Sequence, residues 1–129
     1  MPDSPPAVLL AEDNDVNARL IVAVLERAGY AVTVAPDGAR AVAAVERASF
    51  GLVLMDVNMP VMDGLTAARA IRAGRRGDVP ILALTADEDG GTRKACAAAG
   101  MDGYVTKPID MGDLIRAVAN GIAMGRRSA

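Results

Sequence analysis

The sequence predicts an α/β domain, a parallel sheet of five strands with helices on both faces. Short apolar runs alternate with longer segments of helical period, five times over. The first, third and fourth runs are almost uninterruptedly apolar, as strands buried on both faces are. A length of 129 residues suits one domain with one core.

Each element follows from local chemistry. Ala7-Val8-Leu9-Leu10-Ala11 reads as the first strand, and Asp15 to Ala28 as a helix closed by Gly29, a good residue for a left-handed C-terminal cap. Ala31 to Ala35 alternates Val32 and Val34 and reads as the second strand. Gly38 to Ala48 follows as a helix. Leu52-Val53-Leu54-Met55 is a third strand that runs into Asp56. A loop with Pro60 and Gly64 leads to a helix ending near Ala73. Gly74 to Pro80 is polar loop. Ile81-Leu82-Ala83-Leu84 is the fourth strand, ending at Thr85. Thr92 to Ala99 is a short helix stopped by Gly100, and Gly103 to Thr106 is the fifth strand. Met111 to Met124 is the last helix, with Asp110 as its cap and Asp113 in its first turn, where negative charge is favourable. Residues 1–6 are expected to be a disordered, proline-rich leader, 7–124 the domain and 125–129 a flexible tail.

Composition narrows the chemistry. Hydrophobic residues make up 52%, enough for a packed interior, but aromatics are only 2%, so Ala, Val, Leu, Ile and Met must build it. Met55, Met59, Met62 and Met101 are accordingly read as packing residues. The absence of histidine removes Ser–His and Cys–His catalysis and most zinc sites. The single Cys96 lies in an alanine-rich helical stretch and reads as a small buried hydrophobe, with a reactive thiol as the alternative. A net charge of −2 without a basic block argues against nucleic acid as a partner; Arg126-Arg127 is too short to count. The leader lacks the pattern of a signal peptide, and no stretch is long enough to span a bilayer. The cytoplasm is the expected location, without direct membrane contact.

The chemistry sits at the strand ends. In open α/β sheets the site lies beyond the carboxyl ends of the strands. Here the first strand ends in Glu12-Asp13, the third in Asp56, the fourth in Thr85 and the fifth in Thr106-Lys107-Pro108. The second ends in Ala35-Pro36 without such groups, and is expected at an edge. Asp13 and Asp56 offer hard oxygen ligands, a backbone carbonyl just after Asp56 can add another, and Glu12 can act through a bound water. Such a set favours Mg²⁺, which keeps several waters and takes a phosphate oxygen as a further ligand. Mn²⁺ is an alternative. Asp56 is a possible nucleophile toward phosphorus. Lys107 would neutralise phosphoryl oxygens and Thr85 can donate a hydrogen bond to one. Any one strand-end aspartate is ordinarily a loop or capping residue; the full set on these strands points to phosphoryl chemistry.

The segments Ala11-Glu12-Asp13-Asn14-Asp15-Val16-Asn17, Met55-Asp56-Val57-Asn58-Met59-Pro60-Val61-Met62-Asp63-Gly64, Leu84-Thr85-Ala86 and Thr106-Lys107-Pro108-Ile109 resemble the receiver domains of two-component response regulators, most closely those of hybrid histidine kinases. The resemblance spans roughly Ala7 to Met124. It implies a flavodoxin-like (βα)5 fold with strand order 2-1-3-4-5. It implies that Asp56 accepts a phosphoryl group from a phosphohistidine on a histidine kinase or histidine phosphotransferase. Asp13, Asp56 and the Asn58 carbonyl would hold Mg²⁺, supported by Glu12. Thr85 and Lys107 would bind the phosphoryl oxygens, and Thr85 would move toward them while Tyr104 turns inward. The Lys107–Pro108 bond would be cis. Asn58 and Asp87 would tune dephosphorylation, and Gly90-Gly91 would loosen the surface before the fourth helix. The domain would be a relay module, with at most self-phosphorylation from small donors and hydrolysis of its own acyl phosphate.

On a helical wheel of the first helix, Val16, Leu20, Ile21, Val24, Leu25 and Ala28 share one broad face and are expected to face the core. Val22 falls outside it, beside Ala18. Because this flank borders the acidic site, and hybrid-type receivers dock a phosphotransferase helix there, Ala18 and Val22 are the expected partner contacts. Spacing alone reads Tyr104 as a surface residue. Two rival functions fit part of the pattern. A haloacid-dehalogenase-type phosphohydrolase also uses a strand-end aspartate with Mg²⁺, but needs a second acid where Asn58 stands and room for a cap domain. An unphosphorylated scaffold would not need the intact acidic set. A dinucleotide-binding fold is disfavoured because no G-x-G-x-x-G follows the first strand.

Overall fold

Alternation along each strand divides the core into two layers. In the computed structural model, which describes residues 5–59, 61–75, 77–86 and 91–128, the strands are β1 (Ala7–Ala11), β2 (Ala31–Ala35), β3 (Leu52–Asp56), β4 (Ile81–Thr85) and β5 (Gly103–Thr106). The helices between them are α1 (Asp15–Arg27), α2 (Gly38–Arg47), α3 (Gly64–Ala73), α4 (Gly91–Ala98) and α5 (Met111–Ser128). The sheet is parallel throughout, in the order β2-β1-β3-β4-β5. This is the flavodoxin-like arrangement expected from the sequence, with β2 at an edge.

Odd-numbered positions of β1, β3 and β4 (Leu9, Ala11, Val53, Met55, Ile81, Ala83) pack with Ala41 and Val45 of α2, Ala67, Ala68 and Ile71 of α3, and Cys96 of α4. Even-numbered positions (Val8, Leu10, Leu52, Leu54, Leu82, Leu84) pack with Ala18, Ile21 and Leu25 of α1 and Leu114, Val118 and Ile122 of α5. A two-residue period in the strands thus sends α2, α3 and α4 to one face and α1 and α5 to the other. Met55 and Met101 are buried in the first layer and Met59 and Met62 pack against it, and Cys96 is likewise buried.

The helices start sharply because a side chain accepts from an orphan amide of the first turn. Asn14, Asp37, Asp63 and Asp110 accept from the N–H groups of Asn17, Arg40, Thr66 and Asp113, at 2.8–3.0 Å. Gly29 and Gly100 follow α1 and α4 with φ of 101° and 93°, the left-handed conformation that ends a helix at least cost on glycine.

One expectation is corrected. Val16 and Leu20 are 74% and 52% exposed and Ala28 is exposed; the inward face is Ala18, Ile21 and Leu25, with Val22 partly buried against the same layer. Apolar residues surround much of this helix, so the wheel has no sharp minimum, and the small Ala18 turns toward the sheet. α5 runs on to Ser128, four residues past Met124. The ends of α1, α2 and α4 differ from expectation by one residue, within ordinary fraying. Residues 1–4, Asp87 and Gly90 lie outside the described residues, so the readings made of them have no structural counterpart; Gly91 opens α4.

At the end of the sheet away from the acidic residues, Arg72 of α3 ties two connections together, the one after α3 and the one after α4. Its guanidinium donates to the carbonyls of Gly77 (2.7 Å), Val79 (2.5 Å) and Gly100 (2.8 Å) and to the Asp102 carboxylate (2.8 Å). Asp102 also accepts from the Ile81 amide at the start of β4. No described helix is long and apolar enough to cross a membrane.

Candidate functional site

Parallel register brings the polar strand ends to one edge. β1 passes its last apolar residue at Ala11, opposite Met55, and the chain turns outward at Glu12-Asp13. β3 extends one residue further, to Asp56, opposite Leu84 of β4. Thr85 follows, opposite Thr106 of β5. The Lys107 amide donates to the Thr85 carbonyl at 2.7 Å, which carries the lysine back over the sheet edge. The Lys107–Pro108 peptide bond is cis.

Ligand oxygens of Glu12, Asp13 and Asp56 lie within 4.8 Å of one another. Glu12 and Asp56 are each 3% exposed, whereas Asp13 is open to solvent. Lys107 Nζ donates to Asp56 Oδ2 at 2.9 Å and stands 4.0 Å from Glu12 Oε2. The other Asp56 oxygen, Oδ1, accepts from the Asn58 amide at 3.0 Å. Glu12 Oε1 accepts from the Asn14 amide at 3.3 Å, but Glu12 Oε2 is buried without a hydrogen-bond partner. Burial, and then the Asp56 carboxylate, push the Glu12 carboxyl up to about 7, with Lys107 and the Asn14 amide pulling the other way.

The set therefore holds more acceptors than one ammonium can satisfy. An orphaned carboxylate oxygen beside two further carboxylates fits a hard divalent cation with oxygen ligands. The residues present, Glu12, Asp13 and Asp56, suit Mg²⁺ in type and number. Asn58 is exposed and lies two residues past the end of β3.

The remaining expected residues take different positions. Thr85 is buried at the tip of β4. Tyr104 is 43% exposed on β5, in register with Ala83, and the Arg93 guanidinium of α4 lies over its ring at 4.4 Å. Ala18 and Val22 line a groove of about 420 Å³ along α1, together with Asp15, Arg19, Glu26 and Val34 of β2. Its Asp15 end is the end that carries the acidic residues. Ala18 itself is only 6% exposed, so Val22 offers more of any contact surface.

Sequence reasoning missed two supports of the site. A Cβ on Gly64 would stand 2.3 Å from the Asp56 carbonyl oxygen and 2.9 Å from Val57 Cα, so the start of α3 presses on the backbone of the acid strand. An aspartate cap followed at once by glycine was a legible signal. The Arg93–Tyr104 contact had none, because neither periodicity nor spacing aligns a residue of α4 with one of β5.

A doubly wound sheet with an acid cluster at its strand ends and a lysine facing it defines a class, the acidic-pocket modules of two-component signalling. The family model for the response regulator receiver domain matches residues 8–119, and the chain belongs to that family. The sensor protein GacS of Pseudomonas syringae pv. syringae is 39% identical over 127 residues, 95% of this chain but 14% of that protein. Hybrid signal transduction histidine kinase I of Dictyostelium discoideum is 39% identical over 114 residues, 82% of this chain and 7% of that protein. The chain thus spans a small part of the curated relatives it matches. Among solved structures, the receiver domain of the sensor histidine kinase PA1611 from Pseudomonas aeruginosa has a TM-score of 0.87 and 43% identity over 92% of this chain and 98% of that one. It was solved with a magnesium ion in its active site cleft. The receiver domain of Ssk1 from Saccharomyces cerevisiae, crystallised with the histidine phosphotransfer protein Ypd1, has a TM-score of 0.87 at 26% identity, over 94% of this chain and 91% of that one.

Proposed function

We propose that this receiver domain is a Mg²⁺-dependent phosphoacceptor that takes a phosphoryl group on Asp56 from a phosphohistidine. A carboxylate oxygen of Asp56 forms the new O–P bond, the P–N bond breaks, and its electron pair returns to the departing imidazole. The observation that carries this reading is the buried Asp56 carboxylate, paired to Lys107 inside an acidic triple whose Glu12 oxygen is left without a partner. Glu12, Asp13, Asp56 and the Asn58 carbonyl would hold the ion, which supplies charge neutralisation for the phosphoryl oxygens. Lys107 gives the second positive charge, and Thr85 a hydroxyl. The magnesium in the PA1611 receiver supports Mg²⁺ as the ion.

The donor is a histidine kinase or a histidine phosphotransferase, a reading supported by the Ypd1–Ssk1 pairing and by the hybrid kinases among the relatives. Its helix would dock along α1, with Val22 in the groove and the exposed Val16 and Leu20 beside it. Phosphorylation would then draw Thr85 toward the phosphoryl group and Tyr104 inward, changing the partner-binding surface. The domain works on the cytoplasmic side, where such kinases phosphorylate.

Intact-mass spectrometry after treatment with acetyl phosphate and Mg²⁺ tests the assignment. The protein should gain one phosphoryl group, and Asp56→Asn or omission of Mg²⁺ should abolish the gain. A group mapped to another residue would overturn it. For docking, Val22→Asp should slow transfer from a phosphohistidine partner and leave acetyl phosphate labelling unchanged; an unchanged transfer rate removes Val22 from the interface.

A further inference from the structure

We propose that Arg93 is a positioning residue for Tyr104: its guanidinium, stacked on the ring, holds the tyrosine outward and thereby sets the balance of the switch before phosphorylation. The proposal rests on the reading of Thr85 and Tyr104 as a coupled pair and adds to it the residue that biases one of its two positions.

Three observations carry it. Arg93 Cζ lies 4.4 Å from the Tyr104 ring centroid, well inside the range in which a cation is attracted to a ring face. Tyr104 is 43% exposed, so the guanidinium lies over a ring that is partly open to solvent. The fold fixes the pair from both sides. Cys96 and Ala99 are buried, and Arg93 lies one turn before Cys96 on the same side of the helix, which sets it over β5. On the sheet, Tyr104 stands in register with Ala83, a methyl-sized neighbour, and Thr85, two residues on, is the next residue on that face of β4. The room toward which the ring would turn thus lies on the Ala83–Thr85 side, and the cation that competes for the ring lies on the helix side.

A ring that turns toward Thr85 leaves the guanidinium. Arg93 therefore opposes the turn in the unphosphorylated domain, and phosphorylation has to overcome that contact. A lysine would keep the charge and lose the planar stack. A stack of this kind at a partly exposed site corresponds to a shift of about two- to fivefold in a two-position equilibrium.

The side-chain rotamer of Tyr104 reads the proposal directly. Three-bond couplings on the isotopically labelled full chain give its χ1 populations. The protein has two tyrosines and no tryptophan, and Tyr30→Phe assigns the signals. In the unphosphorylated protein, Arg93→Ala should raise the ratio of inward to outward Tyr104 by about two- to fivefold. Arg93→Lys should give an intermediate ratio, and it stands as the test should the alanine variant not fold, which a urea unfolding curve reports. Equal χ1 populations in wild type and in the folded variants overturn the proposal. Failure of the phosphoacceptor reading is separately visible: the same samples would gain no mass from acetyl phosphate, while the rotamer comparison, made without phosphorylation, still stands or falls on its own.

Discussion

Replacing Glu12 by glutamine should stabilise the metal-free domain, and should do so only at neutral and alkaline pH. Glu12 ionises near 4.5 as a free side chain and near 7 in the folded protein, chiefly because burial and Asp56 disfavour its charge. Between those values the folded state holds the proton and the unfolded state has released it. Folding stability therefore falls as pH rises through the window, is fully present below about 4.5 and is lost above about 7. The gap between the two values corresponds to about 3 kcal/mol, most of it, about 2–3 kcal/mol, spent between pH 5 and pH 8. Asp63 does not blur the signal. The Thr66 amide holds its carboxyl below the usual aspartate range, so its contribution is lost only in more acidic solution. The assay is urea unfolding in EDTA at unit steps from pH 5 to pH 8. Wild type should weaken steadily with pH. Glu12→Gln, which carries no charge to bury, should stay nearly level and exceed wild type by about 2 kcal/mol or more at pH 8. A wild-type curve that is level or rising over this range, or a glutamine variant that falls in parallel, would refute the electrostatic account of the pocket.

Mg²⁺ should raise the wild-type unfolding midpoint at pH 8 more than at pH 5, because a cation that binds only the folded state stabilises it in proportion to the carboxylates free to take it; an equal rise at both, measured by the same urea curves, would separate the ion from Glu12. Arg72→Ala should cost about 2–4 kcal/mol in urea unfolding, since it strips donors from the carbonyls of Gly77, Val79 and Gly100 and the cation from Asp102; a loss below about 0.5 kcal/mol would mark the clasp as solvated and idle. Gly64→Ala should destabilise by about 1–3 kcal/mol and weaken Mg²⁺ binding in calorimetric titration, because its Cβ would strike the Asp56 carbonyl; unchanged affinity would detach the start of α3 from the site.

The strands and the acid cluster were legible because both are written in short runs. A parallel strand covered on both faces must be apolar at consecutive positions, and Leu9, Leu10, Leu52, Val53, Leu54 and Ile81 to Leu84 satisfy that without reference to anything distant. Where such a run stops at a carboxylate, as at Asp56, chain direction alone assigns it to the carboxyl edge of the sheet, and parallel pairing gathers the rest. The inward face of α1 was not legible for the opposite reason. Val16, Leu20, Val22 and Val24 spread hydrophobicity round the helix, so its direction of greatest apolarity does not decide which side meets the sheet. In the structure Ala18, Ile21 and Leu25 form the buried stripe that packs on the sheet, and Val16 and Leu20 are left in solvent. The end of α5 illustrates a weaker limit. Gly125 and the two arginines resemble a tail in composition, yet the helix that Leu114, Val118 and Ile122 anchor to the sheet continues through them. Contacts such as Arg72 with Gly100 and Asp102, 28 and 30 residues apart, have no local signature at all. Such contacts exist only because the sheet order brings the loops after α3 and α4 together, so they follow from the topology and do not announce it. The exposed pair Val16 and Leu20 follows in the same way. Two apolar side chains unused by the core would, on the proposed function, be open to a partner bringing a phosphohistidine, so the misjudged face of α1 bears on that proposal as well as on the packing.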